Sequence, residues 1–206
     1  MNTQDTRRVK MSENVIIVDG DYIDNVAFNL TINFERMLNR RIPTADFSQW
    51  IVNIALDGHI KRGDNETQVV ILHDKSKRKL DHFMPSTYET ELDKQAFKDA
   101  SLGEFILNTI ATGEDITNKS DVLLDFCNIV LSHKEVHRLL LIPNAEDADI
   151  VRRLRAMLKN VDEEEKHITL FAMEPLAGGN FKQQILGYSI MNAMGITADE
   201  IERKIK

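Results

Sequence analysis

Residues 14–21 read Asn-Val-Ile-Ile-Val-Asp-Gly-Asp, and this short stretch indicates the fold class. Four consecutive β-branched apolar residues, with no polar alternation, are typical of a strand buried on both faces, as in a parallel sheet. The sequence from Ile23 to about Asn39 then carries apolar residues at helical spacing. Strand, Asp-Gly-Asp turn and helix together predict a first βα unit.

The same alternation of strand and helix continues to the end of the chain. Further strands are predicted at Gln68–His73, Phe105–Ile110, His137–Ile142 and His167–Met173. The Phe105–Ile110 segment also fits a short helix. Further helices are predicted from a cap at Thr44 to about Ile60, from Ser86 to about Lys98, from Thr117 or Asn118 to about Ser132, from Glu146 to about Leu158, from Phe181 to about Met194, and beyond Thr197.

Strands separated by helices predict repeated βαβ units with right-handed crossovers. We therefore expect a three-layer α/β/α domain with a mostly parallel sheet of about five strands. Residues 1–13 are predicted to be a flexible N-terminal segment, and residues 14–206 a single domain with a helical extension from about residue 180. The predicted helix at 181–194 has a wide apolar face, which either packs on the sheet or is the interface of a homodimer.

Composition narrows the function classes. The charge of 26 − 33 = −7 disfavours non-specific nucleic-acid binding, which depends on Lys and Arg. No apolar run approaches the roughly 20 residues that span a bilayer, and the N-terminus lacks a signal-type apolar segment. These features, with Cys127 as the single cysteine, predict a cytoplasmic protein without disulfides. Cys127 itself is expected to be a buried apolar residue.

Acidic residues gather where the predicted strands end. Asp19 follows the first strand, Asp147 and Asp149 follow the fourth, and Asp121 lies in the first turn of the helix that leads into the fourth. Ligand sites in open parallel sheets form beyond the carboxyl ends of the strands. Several carboxylates in one place suit Mg²⁺ or Mn²⁺. Helix caps and first-turn residues are the simpler interpretation of the same pattern.

Three short motifs resemble the NYN branch of the PIN-like nuclease superfamily. They are Val-Asp-Gly-Asp at 18–21, Lys-Ser-Asp-Val at 119–122 and Glu-Asp-Ala-Asp-Ile at 146–150. They resemble the family's Asp-Gly-x-Asn, Lys-x-x-Asp-Val and Ser-Gly-Asp-x-Asp-Phe blocks, in the family's order. The resemblance covers about residues 14–173 and implies a PIN-like, Rossmann-like fold.

The resemblance implies a divalent-metal-dependent ribonuclease. Asp19, Asp121 and Asp147 would be the catalytic residues, and with Asp149 they would hold Mg²⁺ or Mn²⁺, which would activate a water for attack on the scissile phosphate. The RNA backbone would contact the basic side chains that follow the second predicted strand, together with the lysine that precedes Asp121. This set comprises Lys75, Lys77, Arg78, Lys79 and Lys119.

Two alternatives remain open at this point. Tyr22 stands where the family has Asn, and Ala145 and Glu146 stand where it has Ser-Gly. A catalytically inactive PIN-like module that binds RNA or a protein partner is therefore the first alternative. A phosphate- or nucleotide-binding domain is the second. For the basic run at 75–79, a solvated loop is the simpler interpretation.

Overall fold

The first strand, Asn14–Asp19, lies at the centre of the sheet and is buried along its whole length, as the apolar run at its residues 15–18 predicts. A computed structural model describes residues 11–113 and 118–205. Within these residues the strands are β1 (Asn14–Asp19), β2 (Ala45–Asp46), β3 (Asn65–Asp74), β4 (Phe83–Met84), β5 (Ala96–Asp99), β6 (Gly103–Thr112), β7 (Arg138–Ile142), β8 (His167–Ala172) and β9 (Lys182–Ile185). The helices are α1 (Gly20–Leu38), α2 (Phe47–Asp57), α3 (Lys119–Ser132), α4 (Ala148–Leu158), α5 (Leu186–Ala193) and α6 (Ala198–Ile205).

Seven of the strands form the central sheet, in the order β5-β6-β3-β1-β7-β8-β9. All neighbours are parallel except β5, which runs antiparallel to β6. Strands β3 and β6 lie on one side of β1. The chain then passes through α3 to β7, which lies on the other side of β1. The change of direction places a topological switch point at the carboxyl end of β1, where ligands bind in folds of this type.

Each face of the sheet has its own hydrophobic core, and β1 contributes to both. Ile16 and Val18 point into the core that contains α1, α2 and α5. Val15 and Ile17 point into the core that contains α3 and α4. This alternation confirms the predicted three-layer α/β/α architecture, because only a strand covered on both faces needs apolar residues at every position.

The sheet has two more strands than the five predicted, and both are edge strands. The predicted helix from Ser86 to about Lys98 is wrong: the segment contains one π-helical turn (Tyr88–Leu92) followed by β5. Glu91 accepts hydrogen bonds from the backbone amides of Ser86 and Thr87. These bonds stabilise a loop in the way that helix caps stabilise a first turn.

The predicted helix at 181–194 is likewise divided, into β9 and α5. Gln183 and Gln184 lie in β9, which extends the sheet beyond β8, and the apolar residues Leu186 and Ile190 begin the helical packing. Two further boundaries differ from prediction. Asp46 rather than Thr44 caps α2, and α4 begins at Ala148, after its cap Asp147, rather than at Glu146.

The chain is already packed against the sheet at residue 11. Met11 is buried, and Ser12 donates a hydrogen bond from its hydroxyl to Glu66, at 2.6 Å. The predicted flexible segment 1–13 otherwise falls on residues 1–10, which lie outside the described residues, as does Thr117. None of the described helices combines the length and the apolar character needed to cross a membrane.

Candidate functional site

The carboxyl ends of β1, β3 and β6 bring together the residues of the candidate site. Asp19 is the last residue of β1 and the N-cap of α1, where its carboxylate accepts a hydrogen bond from the amide of Tyr22 at 3.0 Å. Lys119 opens α3, which begins at the same edge because α3 follows β6. The fold therefore places a basic side chain directly opposite the acid that ends the central strand.

Lys119 bridges both acids of the Asp-Gly-Asp turn. Its Nζ lies 2.6 Å from Oδ1 of Asp19 and 2.6 Å from Oδ2 of Asp21. The Asp21 carboxylate also accepts the amide of Asp74, at the end of β3. The three charged groups thus connect α1, α3 and β3 at the switch point.

The burial of this cluster shifts its titration. Burial raises the pKa of the Asp19 carboxyl above its usual range, although the nearby Lys119 ammonium acts in the opposite direction. Burial alone would lower the pKa of Lys119, but the charge of Asp19 and the hydrogen bonds to both aspartates outweigh it, so this pKa is raised. The Lys119 ammonium is therefore charged at neutral pH.

A second group of ion pairs engages Asp121, the predicted site residue in the first turn of α3. Arg153 on α4 places Nη2 2.7 Å from Oδ1 of Asp121 and Nη1 3.8 Å from Oδ2 of Asp149. Arg152 also pairs with Asp149. These contacts connect α3 to α4, so the carboxylates of Asp121 and Asp149 are engaged with guanidinium groups.

Asp147 has the contacts of a helix cap. Its carboxylate accepts the amide of Asp149 at 2.9 Å at the start of α4. The neighbouring Glu146 instead lines a crevice with Tyr22, beyond the ends of β1, β7 and β8. Burial, and then the charge of Glu146, raise the pKa of Tyr22 to about 12. Glu146 and Tyr22, which stand where the NYN motifs have Gly and Asn, thus line the same crevice.

The predicted metal ligands do not form a ligand set in this arrangement. Asp19 is paired with Lys119, Asp121 and Asp149 are paired with Arg153, and Asp147 caps a helix. Over residues 11–113 and 118–205, no three His, Cys, Asp or Glu side chains come together in a group that could hold a metal ion. Mg²⁺ or Mn²⁺ binding stays a prediction, and the side-chain geometry gives it no support.

The basic run after β3 lines a cavity of about 530 Å³ at the same edge of the sheet. Lys75, Lys77 and Arg78 contribute cationic side chains to it, all exposed. No carboxylate among the described residues lies within ion-pair distance of these three. Lys79 differs, because its Nζ pairs with Asp81 at 2.9 Å in a neighbouring cleft.

Two stacked rings form part of the wall of this cavity. His73, at the end of β3, and Tyr88, in the π-helical turn, are nearly parallel, with ring centroids 3.8 Å apart. Gly20 permits the position of Tyr88, because a Cβ at residue 20 would lie 2.7 Å from the Tyr88 hydroxyl oxygen. The Asp-Gly-Asp turn and the basic cavity are therefore in direct contact.

Several residues of this region were not among the predicted site residues. Asp21 and Arg153 stand in patterns that the sequence does display, the Asp-Gly-Asp turn and the Arg-Arg pair at 152–153 of α4. Tyr88 and Glu89 were not recognised as site residues, because the segment that contains them was predicted to be an ordinary helix. Only the tertiary structure brings that segment over the ends of β3 and β6.

The comparisons with known proteins yield a family but no characterised relative. Neither the curated proteins nor the solved structures include a match to this chain. The resemblance to NYN and PIN-like nucleases therefore stays a prediction. Residues 8–201 match the protein family described as "Family of unknown function (DUF6621)", which covers almost the whole chain. The chain belongs to this family of unknown function, DUF6621.

Proposed function

We propose that this domain binds a phosphate-bearing ligand, RNA or a nucleotide, and does not hydrolyse it. The supporting observation is the cavity lined by Lys75, Lys77 and Arg78, whose charges have no ion-pair partner among the described residues. Cationic side chains beyond the carboxyl ends of strands β3 and β6 stand where open α/β sheets bind ligands. Lys and Arg are the side chains that bind phosphate.

The arrangement of the carboxylates favours binding over metal-dependent cleavage. An ammonium group lies between Asp19 and Asp21, so the cation that these carboxylates need is supplied by Lys119. Asp121, the predicted catalytic residue on α3, is paired with Arg153. Divalent-metal-dependent cleavage of RNA, with Asp19, Asp121 and Asp147 as catalytic residues, stays a prediction that the same samples can test.

The binding test is fluorescence anisotropy with a single-stranded RNA labelled at its 3′ end, in the presence of EDTA. The variant Lys75→Ala/Lys77→Ala removes two cavity charges. The matched control, Lys159→Ala/Lys182→Ala, removes two exposed lysines elsewhere. We expect the cavity pair to weaken binding by about tenfold or more at moderate salt, and the control pair by less than about twofold.

Two outcomes would overturn the proposal. The first is that neither RNA nor a nucleotide binds, or that both lysine pairs weaken binding equally. An equal loss would mean that net charge alone explains the interaction. The second is RNA cleavage that requires Mn²⁺ and disappears in both Asp19→Asn and Asp147→Asn, which would establish the ribonuclease instead. Cleavage that survives in both variants would come from a contaminant, so it would leave the binding result to decide.

A further inference from the structure

The cavity beside β3 and β6 has the size of a small-ligand site. Its volume of about 530 Å³ lies within the range of about 300–1,000 Å³ that is typical of such sites. Strand residues Thr109 and Ala111 line it on one side, and residues 87–89 and 93 line it on the other. With the basic run after β3, three separate segments form the cavity, so it is more than a flat basic surface.

The lining carries charges of both signs. Lys75, Lys77 and Arg78 are cationic, whereas Glu89 and Asp93 are acidic. Asp93 is already engaged, because its carboxylate accepts the amide of Thr109 at 2.9 Å and pairs with Lys94. Glu89 is exposed and makes no side-chain hydrogen bond or ion pair with any described residue. One carboxylate is thus available to accept hydrogen bonds inside a cavity with three cations.

Hydrogen bonds and stacking fix the segment that carries Glu89. The amide of Tyr88 donates to the carbonyl of Arg78 at 3.0 Å, and the amide of Asp93 donates to the carbonyl of Tyr88 at 2.7 Å. The Tyr88 ring stacks on His73 of β3. The segment is therefore attached both to the basic run and to the sheet, which holds the acidic and basic walls in a defined relation. Such preorganisation lowers the entropic cost of binding.

These features suit a ligand with an anion at one end and hydroxyl donors at the other. A phosphomonoester has a second pKa near 6, so it carries about −1.5 to −2 charge at neutral pH, against −1 for an internal phosphodiester. Three cations in one cavity favour the monoester. Sugar hydroxyls are neutral donors that an unengaged carboxylate such as Glu89 accepts well.

We propose that the cavity binds a nucleoside 5′-monophosphate unit, with the phosphate on Lys75, Lys77 and Arg78 and a ribose hydroxyl on Glu89. This inference rests on the proposed function and names its ligand class. A free nucleotide and the 5′-phosphorylated end of an RNA share this chemistry. The ligand enters the cavity with its terminal phosphate toward the basic run.

Calorimetric titration of the full chain tests the inference, with the four ribonucleoside 5′-monophosphates, the parent nucleosides and inorganic phosphate as ligands. We expect at least one monophosphate to bind, its nucleoside to bind at least about tenfold more weakly, and inorganic phosphate to bind more weakly than the monophosphate. Glu89→Gln should weaken binding of the monophosphate relative to inorganic phosphate by roughly tenfold, since it removes the charged acceptor of the sugar hydroxyl while its electrostatic effect on the anion is common to both ligands. Glu104→Gln, an exposed acid on β6 outside the cavity, is the control.

A second experiment separates the two sources of the ligand. RNA oligonucleotides with a 5′-phosphate and with a 5′-hydroxyl are compared in the anisotropy assay, with a nucleoside monophosphate as competitor. Preference for the phosphorylated end, with competition by the mononucleotide, supports the inference and assigns it to RNA ends. Binding of the mononucleotide without such a preference supports it and assigns it to free nucleotides.

Failure of the inference differs from failure of the proposed function. If RNA binding depends on Lys75 and Lys77 but neither the 5′-phosphate nor the mononucleotide matters, the inference falls and the proposed function stands. Equal affinities for phosphate and monophosphate, with no effect of Glu89→Gln, would also overturn the inference and leave a simple anion site. If no phosphate ligand binds at all, both fall together.

Discussion

Lys119 lies 2.6 Å from Asp19, and this contact joins the first residue of α3 to the last residue of β1. Asp19 is almost completely buried, with 6% of its side chain exposed, whereas Lys119 is 23% exposed. A buried carboxylate is costly unless a cation and hydrogen bonds compensate for its lost hydration. Lys119 provides that compensation from a helix that begins about 100 residues further along the chain.

The first prediction concerns the stability of this ion pair. Lys119→Met should lower the free energy of unfolding by about 2–3 kcal/mol, because it leaves the Asp19 carboxylate buried without its cation. Urea denaturation monitored by the fluorescence of Trp50, the single and fully buried tryptophan, measures the change.

The control is Lys134→Met, which removes an exposed lysine and should stay within about 0.5 kcal/mol of the wild type. Adding Asp19→Asn to Lys119→Met should recover part of the loss, since the uncompensated charge is then removed. Equal destabilisation by Lys119→Met and Lys134→Met would contradict a stabilising role for the pair.

The second prediction is a pH dependence of the same difference. The pKa of Lys119 is raised above its ordinary value of 10.5 in the folded protein, so the ammonium stabilises the fold fully below that pH. This stabilisation is lost as the pH rises through the folded-state pKa. The stability gap between wild type and Lys119→Met should therefore be constant from neutral pH to about pH 9.5 and should narrow above about pH 10.5.

Thermal denaturation of the two proteins at matched pH values measures this gap. Tyr22 and Tyr88, whose pKa values are also raised by burial, titrate in both proteins, so their contributions largely cancel in the difference. A gap that widens with rising pH would have the wrong sign for a lysine of raised pKa.

The third prediction tests the contact between the Asp-Gly-Asp turn and the cavity wall. Gly20→Ala places a methyl group 2.7 Å from the Tyr88 hydroxyl oxygen and 3.2 Å from the carbonyl of Leu72. We expect it to destabilise the protein by about 1–3 kcal/mol, the usual cost of overpacking. Tyr88→Phe removes the nearest atom and should restore part of this loss in the double variant.

Gly178→Ala is the matched control for that substitution. A Cβ at Gly178 meets no atom within 4 Å, so its effect on the melting temperature should be small. If Gly20→Ala were as well tolerated as Gly178→Ala, the close approach of Tyr88 to α1 would be wrong. Nucleotide titration of Gly20→Ala would show in addition whether the displaced Tyr88 alters the cavity.

The fourth prediction concerns Cys127, which faces the core beneath α3. Burial raises the pKa of its thiol to about 12. Because the thiolate is the reactive form and the Cys127 side chain is fully buried, native protein at pH 8 should react with iodoacetamide at least about tenfold more slowly than protein in urea. Labelling followed by mass spectrometry measures the rate.

A cysteine moved by one position provides the control for that experiment. Asn128 is exposed on the same helix, so Cys127→Ala/Asn128→Cys should react rapidly without denaturant. Rapid native labelling of the wild type would contradict the burial of Cys127 and the register of α3.

The sequence by itself predicted the α/β class and the five inner strands of the central sheet. Residues 15–18 are apolar at every position because both faces of β1 are covered, and the same pattern identified β3, β7 and β8. Asn118 was one of the two caps predicted for α3, with Thr117, because short polar side chains satisfy the free amides of a first helical turn. Such signals are local, so they can be read without knowing the rest of the fold.

Only the tertiary structure decided which charges meet. The spacing of Asp19, Asp121, Asp147 and Asp149 predicted a common edge, but the pairing with Lys119 and Arg153 depends on how α3 and α4 lie on the sheet. The edge strands β5 and β9 were missed for a related reason. Strand formation there follows from hydrogen bonding to β6 and β8, which outweighs a local pattern that suggested helix. Contacts between distant segments have no local signature, and the cavity that joins residues 75–78 to Glu89 is such a contact.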